Sequence, residues 1–264
     1  MRTVSVEEVL SVIQGHVHEA PGGVLAFDGD GTLWSGDIGN DFFFALLESE
    51  KLEPLAHEAL TAEARAQCID VSGTAVEIAR RIYDAYLADR FPEERICEIM
   101  TWACAGWTRD RLDAFAAGVM ARLSLDDRFH REAHRVLTWA REHGVAVYLV
   151  SASPRAIVEQ AARLVGIDRD RVIAATEHRG DDDVVRSEVR RPIPYGRGKV
   201  TRLREKLGAR TLYAAFGDNV FDIPMLCEAR LAVAVHPKPL LIERAAEVPG
   251  IVVLARGDDS FTQT

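Results

Sequence analysis

Three short apolar runs in this chain are each followed at once by acidic or hydroxyl-bearing residues. Asp28-Gly29-Asp30-Gly31-Thr32 follows Val24-Leu25-Ala26-Phe27, and Ser151-Ala152-Ser153 follows residues 145–150. Gly217-Asp218-Asn219 follows residues 212–216, with Asp222 further on. Asp28, Asp30 and Asp218 would repel one another at one edge unless a hard cation sat among them. Magnesium suits such a place, because it takes a few carboxylate oxygens and completes its shell with water and substrate phosphate. A carboxylate is also a covalent nucleophile toward phosphorus. Two aspartates one residue apart on a bent strand end point differently, so one can attack while the other handles protons. Ser151 and the backbone N–H groups after it offer neutral donors to phosphate oxygens. Lys199, near the start of a helical pattern at Gly198, supplies positive charge for a transferring phosphoryl group.

The elements that must position these groups read as an α/β protein. Ser5 and Glu8 form an S-x-x-E capping box ahead of a stripe of Val6, Val9, Leu10, Ile13 and Val17. The brief apolar runs at 24–27, 145–150, 212–216, 231–235 and 251–254 suit strands buried on both faces of a parallel sheet. Helical patterns separate most of them, which predicts a doubly wound, mostly parallel sheet. Ser153-Pro154 reads as an N-cap and first-turn proline, and Ile157, Val158, Ala161, Leu164 and Val165 follow as a buried stripe up to Gly166. In such sheets ligands bind at the carboxyl ends of the strands, where the three clusters fall.

Residues 36–124 break the alternation. Ala75, Ile78, Ala79, Ile82, Ala85 and Tyr86 make one amphipathic stripe, and Leu112, Phe115, Ala116 and Val119 make another after a Thr108 cap. That length exceeds a simple crossover and predicts a helical subdomain inserted into a core made of residues 1–35 and 125–264.

The same residues resemble the motifs of the haloacid dehalogenase superfamily. Phe27-Asp28-Gly29-Asp30-Gly31-Thr32-Leu33 matches its DxDGT motif, and Ser151 resembles the second motif and Lys199 the third. Gly217-Asp218-Asn219-Val220-Phe221-Asp222 resembles the fourth, GDxxxD. The resemblance implies a Mg2+-dependent phosphatase with Asp28 as nucleophile and metal ligand. Asp30 would be the general acid and base and bind metal through its backbone carbonyl. Asp218 would be a second metal carboxylate, with Thr32 and Asp222 bracing the site. Ser151, Ala152, Lys199 and Asn219 would hold the phosphoryl group. The helical insert resembles the cap of phosphoserine-phosphatase-like members, in which an acidic residue nine positions after the nucleophile binds the substrate amine. Asp37 stands there and implies an aminated leaving group. Two positions depart from those relatives: Ala152-Ser153 replaces a glycine pair and Phe221 replaces a polar residue. Arg80 and Arg81 are candidates for holding a substrate carboxylate, or form a solvated helix face.

Other features bound the reading. A net charge of −9 argues against partners among nucleic acids and anionic membranes. No apolar run approaches the roughly 18 residues that span a bilayer, and Glu7 and Glu8 interrupt any signal peptide, so a cytoplasmic protein is expected. Cys68, Cys97, Cys104 and Cys227 form no CxxC pair, which argues against structural zinc. An EF-hand reading of the 28–32 segment fails at Leu33 and Gly39, and a phosphate-loop reading of residues 196–199 fails at Ile193 and Val200. His130 and His134 read as surface residues and Asp181-Asp182-Asp183 as a solvated turn. Arg186, Arg190, Arg191 and Arg197 read as a solvated loop or a guide for anions. Phe42-Phe43-Phe44 and Trp102 read as core of the insert, and Trp34 as either packing or substrate-facing. Three functions fit: hydrolysis of a small phosphorylated metabolite, phosphotransfer to another acceptor, or phospho-ligand binding without turnover.

Overall fold

The computed structural model describes residues 1–257; the end of the expected core segment, 258–264, lies outside the described residues. Seven parallel strands form the central sheet. In chain order they are β1 (Arg2–Val4), β2 (Val24–Phe27), β3 (Ala146–Pro154), β4 (Val172–Ala175), β7 (Leu212–Gly217), β8 (Leu231–Ala234) and β9 (Val252–Leu254), and across the sheet they run β1-β9-β8-β7-β2-β3-β4. A hairpin of β5 (Glu177–Arg179) and β6 (Val185–Val189) stands apart from it. Every residue of β2 and β7 is buried, as expected of parallel strands covered on both faces. The fold is the α/β class read from the alternation. β1 and β4 extend it beyond the five predicted strands: β1 has three residues and only one of them buried, too little for an apolar run to show.

The first helix, α1 (Val6–Glu19), starts at the predicted capping box. Ser5 Oγ accepts from Glu8 N at 3.2 Å and Glu8 Oε2 accepts from Ser5 N at 3.0 Å. Five helices then fill the long interval: α2 (Ile38–Glu48), α3 (Pro54–Ala66), α4 (Ala75–Leu87), α5 (Glu93–Trp102) and α6 (Arg109–Met120). Thr74 and Thr108 cap α4 and α6. Phe42, Phe43 and Trp102 are buried among them, as predicted.

The insert and the sheet share one apolar cluster, in which Phe42, Ile78 and Leu112 join Leu149 and Ile157. Polar ties add to it. Val185 and the Gly106–Trp107 segment exchange backbone hydrogen bonds of 2.9 Å. Arg191 donates twice to buried Glu98 at 2.7 Å, and Arg95 pairs with the same carboxylate. Arg186 and Arg190 are also paired, with Asp182 and Glu205, so the basic stretch is largely neutralised locally. Asp181–Asp183 form the exposed turn of the hairpin.

The layers are completed by α7 (Arg131–Glu142), α8 (Arg155–Leu164), α9 (Arg197–Leu207), α10 (Ile223–Cys227) and α11 (Pro239–Glu243), together with α1. Two predictions need correction here. Ser153-Pro154 does not open α8, because β3 continues through Pro154 and Ser153 makes no cap hydrogen bond. His130 and His134 are half-buried rather than solvated surface residues. The His130 backbone N–H donates to Leu33 O at 3.0 Å, which draws the first turn of α7 under the segment after β2. His130 therefore stacks on His236 at 4.0 Å, and His134 stacks on Phe129 at 4.1 Å. Among the described residues no helix is long and apolar enough to cross a membrane.

Candidate active site

The chain leaves β4 and returns on the other side of β2, so β2 and β7 flank the point where strand order reverses. Crevices form at such points. Phe27 and Phe216 are register partners whose rings stack at 4.0 Å, nearly parallel. The Asp28 N–H donates to Phe216 O at 2.9 Å, which sets Asp28 beside the Gly217-Asp218 turn. Gly31 has a φ of +82°, and a Cβ there would lie 2.2 Å from Asp218 Oδ2. Only glycine lets this loop pass over Asp218. At Gly217 a Cβ would fall 2.6 Å from the side chain of Asp222.

Lys199, in the first turn of α9, is 4% exposed. Its ammonium donates to Asp28 Oδ1 and to Asp222 Oδ1, both at 2.5 Å. Asp222 Oδ2 accepts from the N–H groups of Asp218 and Asn219 at 3.1 and 3.0 Å. Asp222 thus has both oxygens engaged and orients Lys199. Thr32 Oγ1 lies 3.2 Å from Asp28 Oδ2 and braces it.

The electrostatics of this cluster call for more positive charge. Asp28, Asp218 and Asp222 are buried, and one oxygen of each lies within 4.8 Å of the others. Burial pushes the Asp28 carboxyl well above its usual range. Lys199 opposes that push, while Asp222 and Asp218 add to it. Asp218 is raised to about 6, again by burial first and then by Asp222, with Lys238 and Lys199 opposing. Burial alone would lower the Lys199 ammonium, but its two carboxylates outweigh it and hold the proton on. Asp218 Oδ2 is buried, and although Lys238 Nζ lies 3.0 Å away, the pair is not aligned as a hydrogen bond. A buried carboxylate oxygen left this way, beside a second carboxylate, fits a hard divalent cation.

Asp30 stands apart from that cluster. Its Oδ1 accepts from Trp34 Nε1 and Ile38 N, both at 2.8 Å, and its Oδ2 accepts from Ser153 Oγ at 2.7 Å. Trp34 is fully buried, so its part is packing and holding Asp30 rather than facing a substrate. Ser151 Oγ, also buried, accepts from Ser153 N at 3.0 Å. Asp37 caps α2, accepting from Asn40 N at 2.8 Å. Its carboxyl is pushed up to about 7 by the surrounding protein and then by Asp30, while Asn40 N–H and Lys238 oppose. Water reaches the Asp37 side chain and screens part of that push.

Asp28, Asp30, Asp37, Ser151, Ala152, Lys199, Asp218, Asn219 and Asp222 all line one cleft of about 90 Å3. Larger clefts lie between α9 and α10, about 630 Å3, and beyond the opposite strand ends around Gly144 and Gly166, about 300 Å3. Neither holds the buried carboxylates. Thr32 stands behind the cleft, on Asp28. Arg81 is spent on the backbone oxygens of Asp70 and Ser72, and neither it nor Arg80 lines the cleft. Five lining residues were not placed at the site by the sequence reading: Ser153, Glu93, Cys97, Tyr195 and Lys238. Ser153 was signalled by its place two residues after Ser151, on the same face of β3. Lys238 was signalled by its place just past the end of β8, where the strand-end rule applies.

Residues 25–227 match the family model of haloacid dehalogenase-like hydrolases, and the chain belongs to that family. No curated protein matches the sequence. Similar solved structures include a protein of unknown function from Bordetella pertussis Tohama I, 21% identical, with a TM-score of 0.65 over 88% of this chain and 97% of that one. A functionally unknown protein from Anaerococcus prevotii DSM 20548 is 15% identical, with a TM-score of 0.67 over 91% and 87%. A substrate-bound phosphoserine phosphatase is 17% identical, with a TM-score of 0.53 over 89% and 93%. These likenesses are ones of fold.

Proposed function

We propose that this hydrolase is a Mg2+-dependent phosphomonoesterase that works through a phosphorylated Asp28 on a small, aminated metabolite. The carrying observation is the buried Asp28, braced on one oxygen by Lys199 and set beside Asp218. Asp28, Asp218 and the backbone carbonyl of Asp30 would hold the cation. When bound, magnesium neutralises the carboxylates and the phosphoryl oxygens.

The chain's own residues carry both half-reactions. An oxygen of Asp28 attacks phosphorus and the ester P–O bond breaks. Asp30 protonates the leaving oxygen, then takes a proton from the water that attacks the aspartyl phosphate. Phosphate leaves and the Asp28 carboxylate is restored. Ser153 suits both stages, since a hydroxyl that donates to the carboxylate can accept once Asp30 carries the proton. Ser151, the Ala152 and Asn219 segments and Lys199 surround the phosphoryl group. The helical insert of residues 36–124 serves as the cap over the core of residues 1–35 and 125–264, and supplies Asp37 and Glu93 to the cleft. The complete set of Asp28, Asp30, Lys199 and Asp218 supports turnover over ligand binding alone.

Phosphate release from phosphoserine, phosphocholine, phosphoethanolamine, sugar phosphates and nucleotides, measured with Mg2+, tests this reading. Aminated esters are expected to lead. Asp37→Asn should raise KM for them by about 10–100-fold, the value of a hydrogen bond to a charged group, and leave the other esters within about twofold. Because the Asp37 carboxyl is held above its usual range, the wild-type KM for aminated esters should rise as the pH falls from about 7, where the anion is lost. Equal preference across the panel, unchanged by Asp37→Asn, would remove the aminated substrate.

A further inference from the structure

Lys238 is a second cation of the catalytic cleft, and its setting differs from that of Lys199. After β8 the chain turns back along the end of β7. Val235 N donates to Gly217 O at 2.9 Å and Lys238 N donates to Asp218 O at 2.8 Å. Between them His236 takes a left-handed φ of +43°, a conformation seldom adopted by residues with a side chain, followed by Pro237. The turn ties the Lys238 backbone to the residue that its side chain meets. Lys238 Nζ lies 3.0 Å from Asp218 Oδ2, the buried oxygen that completes no hydrogen bond.

The two lysines divide the carboxylates between them. The side chain of Lys199 is buried and locked between Asp28 and Asp222. Asp218 is left to Lys238, whose side chain is 53% exposed and so borders water. A divalent cation and an ammonium drawn to the same carboxylate repel each other at such range, strongly so in a partly buried site, and so compete for it.

We propose that Lys238 is a tethered counter-cation of Asp218 that neutralises this carboxylate in the metal-free protein and is displaced when a divalent cation binds, thereby lowering metal affinity. The inference rests on the reading of Asp218 as a metal ligand. Its basis is the juxtaposition of a half-exposed ammonium, tied through its own backbone to Asp218, with a buried oxygen that completes no hydrogen bond.

Calorimetric titration of the chelator-treated full chain with MgCl2 tests it. Lys238→Gln should bind Mg2+ about tenfold more tightly than wild type, and Lys238→Arg should stay within about threefold of wild type. Arg197→Gln removes a like charge from the start of α9, where Arg197 is exposed and does not line the cleft, and should shift affinity less than twofold. Unchanged or weaker Mg2+ binding by Lys238→Gln, or an equal gain in Arg197→Gln, would overturn the assignment while leaving the phosphohydrolase reading in place. If neither wild type nor Lys238→Gln takes up Mg2+, both fall.

Discussion

Asp28→Asn should lower phosphate release by at least about a thousandfold with the chain still folded. The replacement keeps the shape of the side chain and removes the anionic oxygen proposed to attack. Its neighbours hold their places by other means: Phe27 stacks on Phe216, the residue 28 N–H still donates to Phe216 O, and Lys199 retains Asp222. The loss should therefore fall on kcat, because the proposed substrate contacts from Ser151, Lys199 and Asp37 are untouched by it. Steady-state phosphate release on the best ester of the panel gives the rates, and circular dichroism confirms the fold. A variant within tenfold of wild type would mean that another group makes the bond to phosphorus.

Lys199→Met should have the largest effect on stability, a loss of about 3–5 kcal/mol in denaturant unfolding of the metal-free chain. Methionine fills the volume but leaves Asp28 and Asp222 buried and facing each other without the ammonium between them. The sign with pH comes from the direction of the shift. The Asp28 carboxyl is already raised by burial, and removing Lys199 removes the main influence that lowers it. A raised carboxyl favours the folded state at low pH and disfavours it as pH climbs through its folded value. The deficit of Lys199→Met should thus shrink toward acid and widen toward neutral pH. Excess Mg2+ should recover part of it, since a ligand bound only by the folded state adds stability. A metal-free variant as stable as wild type at pH 7 would show that the lysine does not offset those two charges.

Much of the site was legible because parallel strands buried on both faces leave short apolar runs, and reactive groups gather at the carboxyl ends of those strands. Asp28, Ser151 and Asp218 come from that rule, and Lys199 from the helix before the third run. Asp222 shows why spacing alone stops short. Its position marked it as a support, while the two backbone donors that fix it depend on the turn after β7. Ser153 was hidden because Ser-Pro is also a helix-start signal, and the competing outcome, a strand extended to residue 154, leaves its hydroxyl for Asp30. Lys238 lay past a strand end whose next residues, His236 and Pro237, carry no acidic or hydroxyl group. Its meeting with Asp218 depends on a left-handed turn at a non-glycine residue, which spacing does not foretell. The half-buried His130 reflects the same limit, because the Leu33 carbonyl that draws α7 inward is distant in the chain.

The most direct test of the central claim is to trap the phosphorylated chain. Wild type turning over its best ester with Mg2+ would be quenched, reduced with borohydride and digested, and the peptide carrying residues 24–34 analysed by mass spectrometry. Reduction of an aspartyl phosphate at position 28 converts it to homoserine, and that mass change at Asp28, absent without substrate and absent in Asp28→Asn, is the predicted result. Full turnover with no modified Asp28, or with the modification at another residue, would contradict covalent catalysis by Asp28.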